Sequence, residues 1–231
     1  AALSHPSRRT ERMMFQSHCA GCHRVGPVLC RACRFVLAAP PAMPATADVV
    51  VAVPFAGRAR DVLLGFKYGN RRQLAHHFAG LLVNRLIAAG VHPDEFDVVT
   101  WAPTSRRRRH QRGFDQAEVV ARRVAAQLGL PCRRLLELDP ASGAQTGLRR
   151  VERLHGPVFR AHPRVHGQRV LVIDDVVTTG STLRSAEAAL RSAGVRVVQR
   201  AAIATTPALA AASSRRSRRP DARVLQGPWA A

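Results

Sequence analysis

One lysine, Lys67, stands among 36 basic residues in this chain of 231, and the aromatic set is eight Phe, two Trp and one Tyr. Such one-sided use of arginine looks partly like a genome-wide composition bias. The formal net charge of +21 therefore says little by itself about nucleic acid, although it guarantees attraction to polyanions at low salt. The scarcity of aromatics excludes an extended stacking platform and leaves electrostatics as the main route to any nucleic-acid contact. Long uninterrupted apolar runs are lacking too. The longest, from Phe35 to Gly57, carries a single charge, but Pro40, Pro41, Pro44 and Pro54 forbid a continuous spanning helix. No secretory h-region precedes it. The expectation is a cytoplasmic protein without membrane insertion. Its length suits one full core plus a small appendage.

Cysteine is sparse but concentrated. Four of the five form Cys19-Ala-Gly-Cys22 and Cys30-Arg-Ala-Cys33. Two such knuckles let four thiolates converge on one ion, and Gly21 and Gly26 relieve the backbone where the turns tighten. A secreted disulfide scaffold conflicts with the absence of a signal segment, and redox CxxC chemistry lacks its usual thioredoxin-like surroundings. Structural zinc on Cys19, Cys22, Cys30 and Cys33 is the favoured reading, with no open position for catalysis. His18 and His23 are spare, and Cys132 stands alone as a small core or near-surface residue.

The most informative run is Val170 to Thr182, VLVIDDVVTTGST. Four apolar residues read as a buried strand, Asp174 and Asp175 end it, and a Thr-Thr-Gly-Ser-Thr turn leads into a helix from Thr182. That layout is a phosphate cradle, because the turn points successive N–H groups inward and the helix adds its positive end. Two carboxylates beside a phosphate need ribose hydroxyls or a hydrated Mg²⁺ between them and the anion.

Elsewhere the pattern alternates strand and helix. Val49–Val53 reads as a strand, Ala59–Phe66 and Arg71 to about Ala89 as helices, and Asp97–Ser105 as a strand entering a Pro-containing turn. Arg106 to Ala117 reads as an arginine-rich loop, followed by an amphipathic helix to Leu128. Helix Thr182–Ser192, capped by Gly194, and strand Val195–Ala204 complete the series. Residues Arg133–Phe159 look irregular and hood-like. This order implies an α/β fold with a mostly parallel twisted sheet flanked by helices. A loop beyond the carboxyl end of a parallel strand is where such sheets place ligands, and the arginine loop would suit a pyrophosphate. A lone Lys among arginines offers a compact charge that a guanidinium cannot imitate. The expected organisation is residues 1–14 as a disordered extension, 15–40 as the Cys₄ zinc module, 48–204 as the main domain, and 205–231 as a disordered basic tail.

The Val170–Thr182 run resembles the signature of type I phosphoribosyltransferases, which use phosphoribosyl pyrophosphate (PRPP). The resemblance implies that Asp174 and Asp175 meet the ribose 2′- and 3′-hydroxyls while Thr178, Thr179, Gly180, Ser181 and Thr182 hold the 5′-phosphate. Together with the paired CxxC motifs, Phe66-Lys-Tyr-Gly69, Ala102-Pro-Thr-Ser105, Arg112-Gly-Phe-Asp-Gln-Ala117, Gln145, Arg153 and Phe159, the chain resembles the ComF family of competence proteins from Cys19 to about Ala204. Asp115 departs from that family's usual Asn, and the Arg133–Phe159 region departs as well.

What this implies is binding of Mg·PRPP or a related phosphoribosyl ligand. Transfer to a nitrogen acceptor with release of pyrophosphate would follow, with Thr104, Ser105, Arg109, Arg112 and Lys67 near the pyrophosphate. Among these, Asp174, Asp175, Arg109 and Arg112 are the candidate catalytic residues. Two alternatives stay open. One is a non-catalytic component of DNA uptake that binds single-stranded DNA and a helicase-type partner, and the other is a PRPP-sensing regulator.

Overall fold

The computed structural model describes residues 17–39, 49–139 and 157–206. The proposed N-terminal extension, the Pro40–Ala47 linker, Gln145, Arg153 and the tail beyond Thr206 lie outside them. The described elements, in chain order, begin with α1 (Arg31–Ala38), β1 (Val50–Pro54), α2 (Gly57–Tyr68), α3 (Leu74–Ala88) and β2 (Val98–Trp101). There follow α4 (Arg106–Arg112), α5 (Gln116–Leu128), β3 (Leu136–Leu138), β4 (Phe159–Ala161), β5 (Arg169–Val177), α6 (Ser181–Ser192) and β6 (Val197–Thr205).

Four strands form a parallel sheet in the order β1-β6-β5-β2, while β3 and β4 make a separate antiparallel pair. Register runs from Val98↔Val170 to Trp101↔Ile173 between β2 and β5, and from Arg169↔Val197 to Val177↔Thr205 between β5 and β6. A central parallel strand must be apolar on both faces, and the first part of β5 is. Leu171 and Ile173 enter a cluster with Val99, Trp101, Phe78, Val120 and Val124, which is the layer of α3 and α5. Val170 and Val172 enter the opposite cluster with Leu136, Phe159, Leu183, Ala186 and Leu190, which is the layer of α6 and the β3–β4 pair. The α/β architecture read from the sequence is therefore present.

Several boundaries differ from the sequence reading. Strand β5 does not stop at the carboxylates but runs through them to Val177, because Asp174 and Val176 stay in register with Ala202 and Ala204 of β6. The arginine loop is in part a helix, α4. Ser105 starts it by accepting from Arg108 N at 3.4 Å, and Gly113 ends it at φ 74°. Part of the irregular Arg133–Phe159 segment is strand, since Leu136–Leu138 pairs with Phe159–Ala161. Strand β6 continues to the buried Thr205, the first residue assigned to the tail. Helix α1, absent from the sequence reading, starts inside the second cysteine knuckle, directly after Cys30, and carries Cys33. No helix among the described residues is long and apolar enough to cross a membrane.

Candidate functional site

Strand β5 delivers Asp174 and Asp175 into two different environments. Asp174 is buried, and its carboxylate accepts from Asp175 N at 2.7 Å. Burial, reinforced by the neighbouring charge of Asp175, pushes its pKa up to about 8. Asp175 accepts from Val176 N at 2.6 Å and takes two cations on its other oxygen. Lys67 Nζ lies 2.7 Å from Asp175 Oδ2, and an Arg112 guanidinium nitrogen lies 3.6 Å from the same atom. All three side chains are largely shielded, so the pairing is less screened than a surface ion pair.

Two distant motifs meet here. Phe66, Lys67 and Tyr68 are consecutive on α2 and so point in three directions about 100° apart. Phe66 is buried against Phe78 and Phe114, with ring centroids 5.5 Å and 5.4 Å away. Lys67 reaches Asp175, and Tyr68 lies beneath the Arg112 guanidinium at 5.5 Å. Arg112 also donates to Gln116 Oε1 at 2.9 Å, which holds it between α5 and the carboxylate. The pairing of the Phe66–Gly69 and Arg112–Ala117 segments is therefore a packing contact as well as an electrostatic one.

Asp115, the unexpected acid in the second segment, has a structural task. One carboxylate oxygen accepts from Ala117 N at 3.1 Å and Glu118 N at 3.3 Å, capping α5. The other accepts from Thr104 N at 2.8 Å and ties the end of β2 to that helix. Both oxygens are needed as acceptors, which a carboxylate supplies and an amide does not. Burial pushes its pKa upward despite those donors.

The turn after β5 is built around Gly180. Gly180 has φ 74°, and an added Cβ would lie 2.8 Å from an Arg184 nitrogen. A side chain there would meet backbone strain and would displace the end of the Arg184 side chain. Thr179 Oγ1 donates to Ser181 Oγ at 3.0 Å and accepts from Ser181 N at 3.3 Å, while no side chain caps α6. Thr178 and Thr179 are exposed, and Gly180, Ser181 and Thr182 are half-buried. Arg184, which the sequence reading missed, folds back from α6 and donates to Thr179 O at 2.8 Å. Its place four residues after the turn glycine is the only signal that could have singled it out.

The structure thus brings Lys67, Arg112, Asp174 and Asp175 together, while Thr104 is tied to Asp115 at the start of α5. Ser105 is the N-cap of α4. Arg109 is exposed on α4, and its side chain touches neither carboxylate of β5.

The cysteine module packs along α2, from Arg58 to Gly65. The ligand atoms of Cys19, Cys22, Cys30 and Cys33 all lie within 4.8 Å of one another, with Cys22 and Cys30 sulfurs 3.7 Å apart. Tetrahedral zinc with Zn–S of about 2.3 Å places its sulfurs about 3.8 Å apart, so the four are positioned to bind a metal of this kind. Burial acts to raise the Cys19 thiol, but backbone donors from Cys30, Cys22 and Gly21 outweigh it and bring the pKa to about 6. Burial pushes Cys33 up to about 12. His18 and His23 are not in the cluster. Gly26, at φ 142°, suits its turn, whereas Gly21 serves close packing, since a Cβ there would meet Cys33 Sγ at 2.9 Å. Cys132 sits apart, half-buried beside β2, its thiol pushed up to about 11 by burial.

Residues 113–226 match the family model of the phosphoribosyl transferase domain, a stretch that includes α5, β5, the turn and α6. The matched stretch is just under half of the chain. Among solved structures, the chain is similar to an allosteric regulatory enzyme of purine biosynthesis, at 21% identity over 62% of this chain and 30% of that one, with a TM-score of 0.39. It is also similar to purine phosphoribosyltransferase from Pyrococcus horikoshii, at 18% identity over 58% of this chain and 75% of that one, with a TM-score of 0.38. A third is glutamine phosphoribosylpyrophosphate amidotransferase from B. subtilis, at 22% identity over 61% of this chain and 30% of that one, with a TM-score of 0.39. The chain spans less than a third of the length of the first and the last of these. No curated protein sequence matches it.

Proposed function

We propose that the chain is a ComF-like protein that binds Mg·PRPP, or a related phosphoribosyl ligand, at the end of β5. One observation carries this reading. Asp174 and Asp175 lie near the end of β5, which leads into a left-handed Gly180 turn and the uncapped start of a twelve-residue helix, with Lys67 and Arg112 converging on Asp175. Anionic phosphate suits the turn and helix end, where N–H groups and the helix dipole act together. Asp174 and Asp175 would hold the ribose hydroxyls, and Thr178 to Thr182 the 5′-phosphate. Lys67, Arg112, Thr104, Ser105 and Arg109 would face the pyrophosphate. Mg²⁺ would bridge phosphate oxygens and offset the two acids.

If transfer occurs, a nitrogen nucleophile bonds to ribose C1 as the C1–O bond to pyrophosphate breaks, and the departing oxygens carry the electron pair. Lys67 and Arg112 would stabilise that charge from a partly buried setting, where fixed cations act most strongly. The cysteine module would hold zinc structurally, with all four positions taken. Calorimetric titration with PRPP in the presence and absence of Mg²⁺ tests the binding step, and pyrophosphate release with a panel of bases tests transfer. Absence of heat and of protection against unfolding in the wild-type chain would remove the ligand-site reading.

A second reading, a single-stranded DNA contact in DNA uptake with a helicase-type partner, draws support from a different surface. Phe35 is 79% exposed on α1, beside the exposed Arg31 and Arg34. One aromatic flanked by cations can stack a base, and the remaining affinity would be electrostatic and salt-sensitive.

A further inference from the structure

We propose that the cysteine module sets the position of Lys67 through helix α2, so that metal occupancy governs how tightly the carboxylate site takes its anionic ligand. The ligand half of this inference rests on the Mg·PRPP reading above. The contacts run without a gap from thiolate to amine.

At the seam between the module and α2 both partners have lost their side chains. A Cβ on Gly21 would meet Val62 Cγ2 of α2 at 3.1 Å, and a Cβ on Gly65 of α2 would meet Ala20 Cβ at 3.2 Å. Arg58, at the start of α2, donates to Gly21 O at 2.7 Å. The ligands Cys19 and Cys33 lie in the same apolar cluster as Val62 and Phe66. The module is therefore packed onto the helix by backbone-close contact rather than tethered to it.

Lys67 is two residues beyond Gly65 on this same helix, and its amine meets Asp175 at 2.7 Å. A helix transmits displacement along its axis because its hydrogen bonds fix one turn to the next. An ångström of movement at Gly65, passed on to Lys67, would take its amine from 2.7 Å beyond the hydrogen-bonding range of about 2.7–3.2 Å. Without metal, the four cysteines lose the ion that draws them together. The seam then loosens, and Lys67 with it. The module acts as a positioning device for a residue it does not touch.

Lys67 is the sole lysine, so amine chemistry on the full chain reports on it directly, apart from the N-terminal amine, which mass spectrometry separates. Acylation of Lys67 is compared in metal-loaded wild type, chelator-treated wild type, and metal-loaded Gly65→Ala and Arg58→Gln variants, alongside circular dichroism and metal content. The expected result is about a tenfold faster acylation on metal removal, with a smaller rise in both variants at unchanged metal content. Mg·PRPP affinity should fall in parallel by about five- to tenfold. Equal Lys67 reactivity in folded protein with and without metal overturns the inference. Should the metal-free chain unfold, unchanged reactivity and affinity in both metal-loaded variants overturns it equally. If wild type binds no Mg·PRPP, the ligand-site reading fails, whereas the acylation series still decides whether the module positions Lys67.

Discussion

Lys67 Nζ and Asp175 Oδ2 lie 2.7 Å apart, joining the one lysine of the chain to the second of its paired carboxylates across two elements of the fold. This contact gives Asp175 a neutralising partner before any ligand arrives. On the proposed reading, Lys67 then turns its charge toward the ligand's pyrophosphate while Asp175 accepts ribose hydroxyls. Replacing Lys67 with Met should weaken Mg·PRPP about 30- to 150-fold, the effect of removing a shielded charged hydrogen bond of about 2–3 kcal/mol. Lys67→Arg should recover only part of this, because a planar fork does not occupy the space of a compact ammonium. Calorimetry on the three proteins measures it.

The same substitution should move Asp174. Lys67 is among the groups that hold the Asp174 pKa down, against burial and Asp175. Removing that cation should shift the Asp174 titration upward from about 8, which carbon-detected NMR of the carboxyl resonance would read. An unshifted or lowered titration would show that Lys67 does not act electrostatically on this pair.

Stability without ligand should fall as pH rises toward 8. The folded-state pKa of Asp174 lies above its ordinary value of 3.8, so the folded protein holds a proton that the unfolded chain has released. That contribution is fully present below the unfolded pKa and is lost as pH climbs through the folded one. Asp174→Asn keeps the acceptor for Asp175 N and removes the charge. It should therefore raise stability at pH 8 by about 1–3 kcal/mol, a desolvation penalty no longer incurred, while abolishing Mg·PRPP protection. Urea denaturation at pH 5 and pH 8 would show the gain shrinking at the lower pH.

Asp115→Asn should be destabilising rather than conservative. The two carboxylate oxygens accept from three N–H groups, and an amide would turn its NH₂ toward Thr104 N or toward the start of α5. A loss of about 1–3 kcal/mol is expected, with Asp115→Ala at least as harmful because the helix cap goes too. Equilibrium denaturation tests this. Neutrality of Asp115→Asn would mean that the Thr104 contact contributes little.

Gly180→Ala should weaken phosphate binding with a modest effect on the fold. Its φ of 74° and the 2.8 Å approach of Arg184 both oppose a side chain. The strain of a non-glycine residue in the left-handed region is about 1–2 kcal/mol, and the displaced Arg184 would release Thr179 O. A PRPP affinity equal to wild type would argue against phosphate binding at this turn.

Much of the architecture was readable because β5, α5 and α6 carry strong local signals: apolar runs, an amphipathic period and glycines at helix ends. The end of β5 was misread because two acids look like a strand terminus, whereas pairing with β6 continues through them. The strands β3 and β4 were hidden because each has three residues and its partner lies some twenty positions away. Helix α4 was hidden by its charge, since seven residues with five arginines show no apolar face.

By itself, the sequence determined the chemistry available: four thiols in two knuckles, two adjacent carboxylates, a hydroxyl-rich glycine turn and a single lysine. These are local patterns, set by spacing along one strand, one turn or one helix. Only the tertiary structure decided that Lys67 meets Asp175, that Asp115 holds Thr104, and that Gly21 and Gly65 bring the cysteine module against α2. Those relationships join residues far apart in the chain. They arise from which elements the parallel sheet places side by side, a choice made by packing that no local pattern encodes.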